Sequence, residues 1–154
     1  MGIQDYHFIT HWRFESPAER LYDLLSRPEQ YPQWIKSFSL QVKLLRSGNS
    51  SGIGEIAGFA VKGCLPYVLR WELECVEAER PHTFTSLARG DLEGRGTWNF
   101  IRHGKETEII FDWKVRGNKP LLRYTSFLFR PAFEWNHGWI MRRWEKDLRR
   151  ALLL

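Results

Sequence analysis

The sequence is short of the residues and runs from which several kinds of protein are built. It has only two cysteines, Cys64 and Cys75, in 154 residues. Their spacing suits neither a metal site nor a redox pair, so both are expected as free thiols in a reducing, cytoplasmic compartment. Nothing near the N-terminus has the basic, apolar and small-residue order of a secretory signal. No apolar run approaches the roughly 20 residues that span a bilayer, which excludes a transmembrane helix. The five histidines are scattered. His7 and His11, four apart on a predicted strand, stand roughly 13 Å from each other, too far to share an ion, and no metal site is expected. A nucleophile elbow, a phosphate-cradling glycine loop and a dinucleotide fingerprint are all missing, so no cofactor is expected. No block of five like charges occurs: 23 basic and 18 acidic residues are interleaved, and the net charge of +5 reads as a solvated basic surface rather than a nucleic-acid footprint.

What the chain has in excess is aromatic surface. Aromatic residues make up 15% of it, eight of them tryptophan, and each large ring brings about 150–250 Å² that must be buried or used for binding. The length fits one domain, residues 1–154, with room for a core and a cavity beside it.

Alternation places the rings. Tyr6, Phe8, Thr10, Trp12 and Phe14 fall on one side of a strand over Tyr6–Glu15. Ser16, Pro17 and Glu19 then have the form of a capping box that starts a helix, with Leu21, Tyr22, Leu24 and Leu25 on its buried face. Pro28 and Pro32 allow only a second short helical segment, and Trp34 is expected to plug the joint between helix and sheet. Six further strands are predicted at Ser37–Arg46, Ile53–Val61, Tyr67–Glu77, Thr83–Leu92, Arg95–Arg102 and Glu106–Arg116, separated by turn chemistry such as Gly48-Asn49-Ser50-Ser51-Gly52 and His103-Gly104-Lys105. The run GDLEGRG is read as the connection between the fourth and fifth of these. The last strand points Ile109, Phe111, Trp113 and Val115 inward. Strands joined by short turns are antiparallel, and a sheet with one apolar face needs a cover.

The cover is the stretch from Asn118 to Leu154, read as one long helix. Its apolar positions Leu121, Leu128, Ala132, Trp135, Trp139 and Ile140 recur at threes and fours, and Asn136, Arg143 and Asp147 project within or beside the same arc. Two readings of these polar groups stand open. In one, Arg143 pairs with Asp147 at i,i+4 and Asn136 bonds a strand backbone. In the other they orient a ligand in an aromatic pocket. His137, at the margin of the arc, is the first choice of general acid or base should the protein be an enzyme. Asp91 and Glu93 read as a solvated hairpin rim. Arg142, Arg143, Lys146, Arg149 and Arg150 cluster before Leu152–Leu154, either as a peripheral membrane contact or as a cationic complement to the helix dipole.

The segments ESPAERLYDLLSRPEQYPQW, GDLEGRGTW at 90–98, FDWKV, and RPAFEWNHGWIMRRWEKDLRR near the end carry a resemblance to the SRPBCC superfamily, the START-like or helix-grip proteins, and within it to polyketide cyclase/dehydrase-like members. The resemblance covers essentially the whole chain. It implies an α+β helix-grip fold: a seven-stranded curved antiparallel sheet wrapped around a long C-terminal helix, with two short helices after the first strand. It also implies a hydrophobic small-molecule ligand, aromatic or polycyclic, between sheet and helix. Trp71, Trp98, Phe111, Trp113, Leu128, Ala132, Trp135 and Trp139 are then the expected walls, and Asn136 and Arg143 the groups that recognise a carbonyl, phenol or carboxylate. The alternatives are a cyclase or dehydratase using His137 or Arg143 as proton donor, and a lipid or quinone carrier at a membrane surface.

Overall fold

The computed structural model describes residues 5–118 and 126–153, with side chains from Arg130 onward in the second stretch. Seven strands form one antiparallel sheet: β1 (Asp5–Phe14), β2 (Ser39–Arg46), β3 (Ile56–Lys62), β4 (Leu69–Glu79), β5 (Thr83–Gly90), β6 (Leu92–His103) and β7 (Glu106–Gly117). Their spatial order is β1-β7-β6-β5-β4-β3-β2. Strands two to seven are thus a meander, and β1 joins its far side by pairing with β7 from Asp5↔Arg116 to Phe14↔Thr107. Between β1 and β2 the chain crosses from one edge of the sheet to the other through α1 (Ala18–Leu25), a 3-10 turn (Pro28–Gln30) and α2 (Tyr31–Trp34). Register shifts at Leu44/Arg46 and Cys75/Glu77 bend the strands, because a bulge inserts an unpaired residue and raises the local twist. The sheet curves around α3 (Ser126–Leu152), which is the α+β helix-grip architecture that the sequence implies.

Alternation explains which rings enter the core. Along β7, Ile109, Phe111, Trp113 and Val115 are buried while Lys114 and Arg116 are exposed, and Tyr6, Trp12 and Phe14 of β1 face the same side. The glycine-rich run at 90–96 is strand rather than connection. Gly90, at φ +127°, makes the turn with Asp91 alone between β5 and β6, and Leu92 is already buried. Gly96 serves close approach: a Cβ there would stand 2.7 Å from the Trp113 ring, so glycine lets that indole lie against β6.

Two expectations at α1 are corrected. The helix begins at Ala18 with Pro17 as N-cap in an extended conformation and no side-chain cap bond. Ser16 lies in the bend after β1, where its carbonyl accepts the Thr107 hydroxyl at 2.7 Å. Leu21, Tyr22 and Leu25 form the buried face, together with Ala18. Trp34 packs against both apolar clusters, the main one under β1 and β4–β7 and the smaller one of Tyr31, Ile35, Ala57, Phe59 and Val61; it is the expected plug.

The phase of α3 also differs from the expected one. Its buried stripe runs through Phe133, Asn136, Met141, Asp147, Leu148 and Ala151, with Ile140 and Trp144 half-buried. Trp135 is 56% exposed. Trp139 lies beneath the Arg143 guanidinium, 4.4 Å from the ring centroid. Both stripes have three-four spacing over a few turns. Only the observed one continues to the helix end, since the expected one runs into Arg142, Arg143 and Lys146. Leu121 lies outside the described residues, as does the side chain of Leu128.

The ends of α3 are fixed to the rest of the fold by arginines. Arg20 of α1 donates to the carbonyls of Leu152 and Ala151 at 2.7 and 3.1 Å, satisfying acceptors that a helix C-terminus leaves open. Arg149 donates to Arg13 O at 3.1 Å, stacks on Phe14 and pairs with Glu145. Among the described residues no helix is long and apolar enough to cross a membrane.

Candidate functional site

A cavity of about 130 Å³ lies between the concave face of the sheet and α3. It sits where the two apolar clusters meet, with Phe59 and Val61 of β3 on one flank, Trp98, Phe111 and Trp113 of β6 and β7 on the other, and Tyr67, Trp71 and Leu73 between. From α3 come Phe133, Asn136, His137, Ile140, Met141 and Trp144; from the α2 region come Pro28, Tyr31, Ile35 and Phe38. The walls are braced by ring contacts. Trp98 stacks on Phe111 at 4.0 Å and Phe59 on Trp71 at 5.5 Å, while Trp144 stands edge-on to Trp98 and Tyr31 at 5.4 and 5.3 Å. Such packing holds each ring by its neighbours and leaves a shaped gap.

Of the residues expected here, Trp71, Trp98, Phe111, Trp113, Asn136 and His137 line the cavity. Ala132, Trp135, Trp139 and Arg143 do not, because the helix phase turns them away; Arg143 is exposed. Sequence reasoning missed Tyr67, Phe133, Met141 and Trp144. The signal for the last three was the longer continuity of their stripe, outweighed by the bulk of Trp135 and Trp139.

The polar groups divide into those already used and those not. Asn136 Oδ1 accepts the Cys64 backbone N–H at 2.9 Å and the Cys64 thiol at 3.3 Å, which ties the β3–β4 connection to α3. A backbone N–H needs an acceptor, so this contact also fixes the amide's orientation. Asp147 does not pair with Arg143; it accepts Lys36 N, Ser37 N and Ser37 Oγ at 3.0, 2.9 and 2.6 Å. Asp91 accepts Arg70 N at 2.8 Å and Glu93 accepts Asn118 Nδ2 at 2.7 Å, and both stand away from the lining. Four lining residues instead carry a buried atom with no protein hydrogen-bond partner: Tyr67 Oη, Trp71 Nε1, His137 Nε2 and Trp144 Nε1. Buried polar atoms are nearly always bonded, so four around one small cavity are the most informative feature of the molecule.

Among the described residues no charged side chain lines the cavity. Burial pushes the Tyr67 phenol up to about 12, and it lowers His137 to about 4, so at neutral pH the tyrosine is protonated and the imidazole uncharged. His137 also stacks on Phe8 at 3.9 Å. Among the described residues, no three His, Cys, Asp or Glu side chains stand close enough to hold a metal ion. The arrangement is suited to holding an uncharged apolar molecule.

The histidine makes stability depend on pH in a defined direction. Its folded value of about 4 lies below the ordinary 6.5, so between these values the unfolded chain binds a proton that the folded chain does not. Acidification from pH 7 to 4 then costs roughly 3 kcal/mol at this one group. Glu55, pushed up to about 7 by burial and by Glu29, acts oppositely from pH 4.5 to 7, because there the folded chain binds the extra proton. The wild-type curve therefore mixes the two, and the difference from His137→Phe isolates the histidine. Urea unfolding across pH 4–7 should show the variant gaining on the wild type as pH falls; parallel curves would contradict the burial of a neutral imidazole.

A strongly curved antiparallel sheet closed by one long helix, with an apolar cavity between them, defines a helix-grip protein. The fold is the helix-grip fold of SRPBCC type, shared with solved structures that include an aromatase/cyclase. Zhui aromatase/cyclase from Streptomyces sp. R1128 superposes with a TM-score of 0.74 at 12% identity, over 93% of this chain and 90% of that one. The Thermus thermophilus protein TTHA0849 gives 0.73 at 16% identity, over 95% and 99%. Ginseng major latex-like protein 151 from Panax ginseng gives 0.63 at 14%, over 93% and 97%. No protein-family model matches the sequence, and no curated protein is similar to it at the sequence level.

Proposed function

We propose that this protein binds a hydrophobic, ring-containing small molecule in the cavity between sheet and α3. The observation that carries the reading is the combination of an apolar lining with four buried, unpartnered polar atoms around about 130 Å³. An apolar cavity of roughly 150 Å³ accommodates benzene, so the space as it stands fits a single ring. A larger polycycle requires the walls to move.

The likeness to an aromatase/cyclase raises catalysis as the alternative, with His137 the one group among the described lining residues suited to accept a proton near neutral pH. A base whose conjugate acid titrates near 4 is weak at neutral pH, and among the described residues no lining carboxylate or cation accompanies it. General acid–base work wants a group titrating near the working pH. Binding is therefore the better supported reading.

Native mass spectrometry of gently purified protein, with thermal unfolding in the presence of ethylbenzene, tests it. An occupant at a hundred times its Kd stabilises by about 2.7 kcal/mol, which for a chain of this size is roughly 5–10 °C in Tm. If no apolar mass co-purifies and ethylbenzene near saturation leaves Tm unmoved, the cavity is not a binding site.

A further inference from the structure

Resting on the proposed binding role, the unpartnered atoms define what kind of ring is held. We infer that the ligand is an uncharged ring bearing a hydrogen-bond-accepting oxygen of carbonyl type, and that carboxylates and ammonium groups are excluded. The indole N–H groups of Trp71 and Trp144 can only donate, the Tyr67 hydroxyl can donate, and neutral His137 donates or accepts according to tautomer. Of the acceptors on described lining side chains, Asn136 Oδ1 is already taken by the Cys64 N–H and thiol, and the Ser86 hydroxyl can donate as well as accept. The lining thus has a surplus of donors, and an oxygen with lone pairs is the complementary group.

Charge is decided by the same inventory. A carboxylate would bring acceptors, but among the described residues no lysine or arginine lines the cavity to offset its desolvation. Arg143, expected from sequence to serve as that cation, lies outside on the Trp139 ring. An ammonium finds no carboxylate among the described lining residues, and it finds few free ring faces, since Trp98 and Phe111, and Phe59 and Trp71, cover each other. The N–H edges that remain are the positive ends of the indole dipoles, which repel a cation.

The test is a size-matched panel: ethylbenzene, acetophenone, benzoate and benzylamine, titrated into the full chain at pH 7 and read by tryptophan fluorescence and calorimetry. After correction for transfer from water, acetophenone is expected to bind about tenfold more tightly than ethylbenzene, the worth of about one buried hydrogen bond, with benzoate and benzylamine weaker than both. Trp71→Phe and Tyr67→Phe keep a ring but remove a donor. At least one is expected to weaken acetophenone about fivefold more than it weakens ethylbenzene, with unfolding curves showing that each variant folds. Equal affinities for acetophenone and ethylbenzene, as when water already serves the donors, overturn the inference while the binding role stands. Benzoate or benzylamine binding as tightly as acetophenone overturns it too. If no compound of the panel binds, ethylbenzene included, the binding role itself fails and takes the inference with it.

Discussion

Asp147→Ala is expected to destabilise the protein by about 3–5 kcal/mol, a fall of roughly 6–20 °C in Tm. The carboxylate is 1% exposed and accepts three hydrogen bonds, from Lys36 N, Ser37 N and Ser37 Oγ. Alanine removes every acceptor at once and leaves two backbone N–H groups at the helix–sheet joint with nothing to bond, a cost of about 1–3 kcal/mol each. Arg150, 3.7 Å away and largely exposed, adds little, as surface ion pairs do. Asp147→Asn keeps one carbonyl oxygen and the volume, so it should lose about half as much. The residues held are those leading out of α2, beside the Tyr31, Ile35 and Phe38 of the cavity wall, so amide hydrogen exchange at 36–38 should speed up in both variants. Urea unfolding with a loss below 1 kcal/mol would show that the joint is held by packing alone.

The same residue illustrates what the sequence made legible. Asp147 stood out as a polar group on an apolar stripe, and that much is independent of helix phase. Two of its three partners are backbone N–H groups 110 and 111 residues away in sequence, and backbone donors leave no mark in side-chain patterning. The sheet was legible for the opposite reason. Alternation in β1 and β7 is set by period two, and one wrong step would turn Phe111, Trp113 and Val115 to solvent. A helix tolerates a phase error of one residue because a three-four pattern can be drawn through more than one stripe, so the walls from β4, β6 and β7 were found while most of those from α3 were misplaced. Glycine misled where its role was tertiary: Gly94 and Gly96 read as turn residues, but Gly96 is fixed by the Trp113 ring packed on it. The donors Tyr67 and Trp144 could not be singled out, since an unpartnered N–H or O–H is a property of surroundings.

Trp144 supplies the second large effect and links stability to ligand size. Its indole touches Trp12, Tyr31 and Trp98 edge-on, at 6.0, 5.3 and 5.4 Å, packs against both apolar clusters and forms part of the cavity wall. Trp144→Ala is expected to cost about 3–5 kcal/mol, the range for truncating a large ring in a core. Because Trp144 Nε1 has no protein partner, no hydrogen-bonding group is orphaned, and the loss is one of contacts and of the space left open. That space adjoins the existing cavity, so the two should merge into a site for a two-ring molecule. Indole added to the variant restores contacts to Trp12, Tyr31 and Trp98, and is expected to recover at least half of the lost Tm, while wild-type Tm, with room for one ring, hardly moves. Equal stabilisation of both proteins by indole would mean that the wild-type walls already part to admit two rings, so that wall mobility rather than the resting volume sets the size of the ligand.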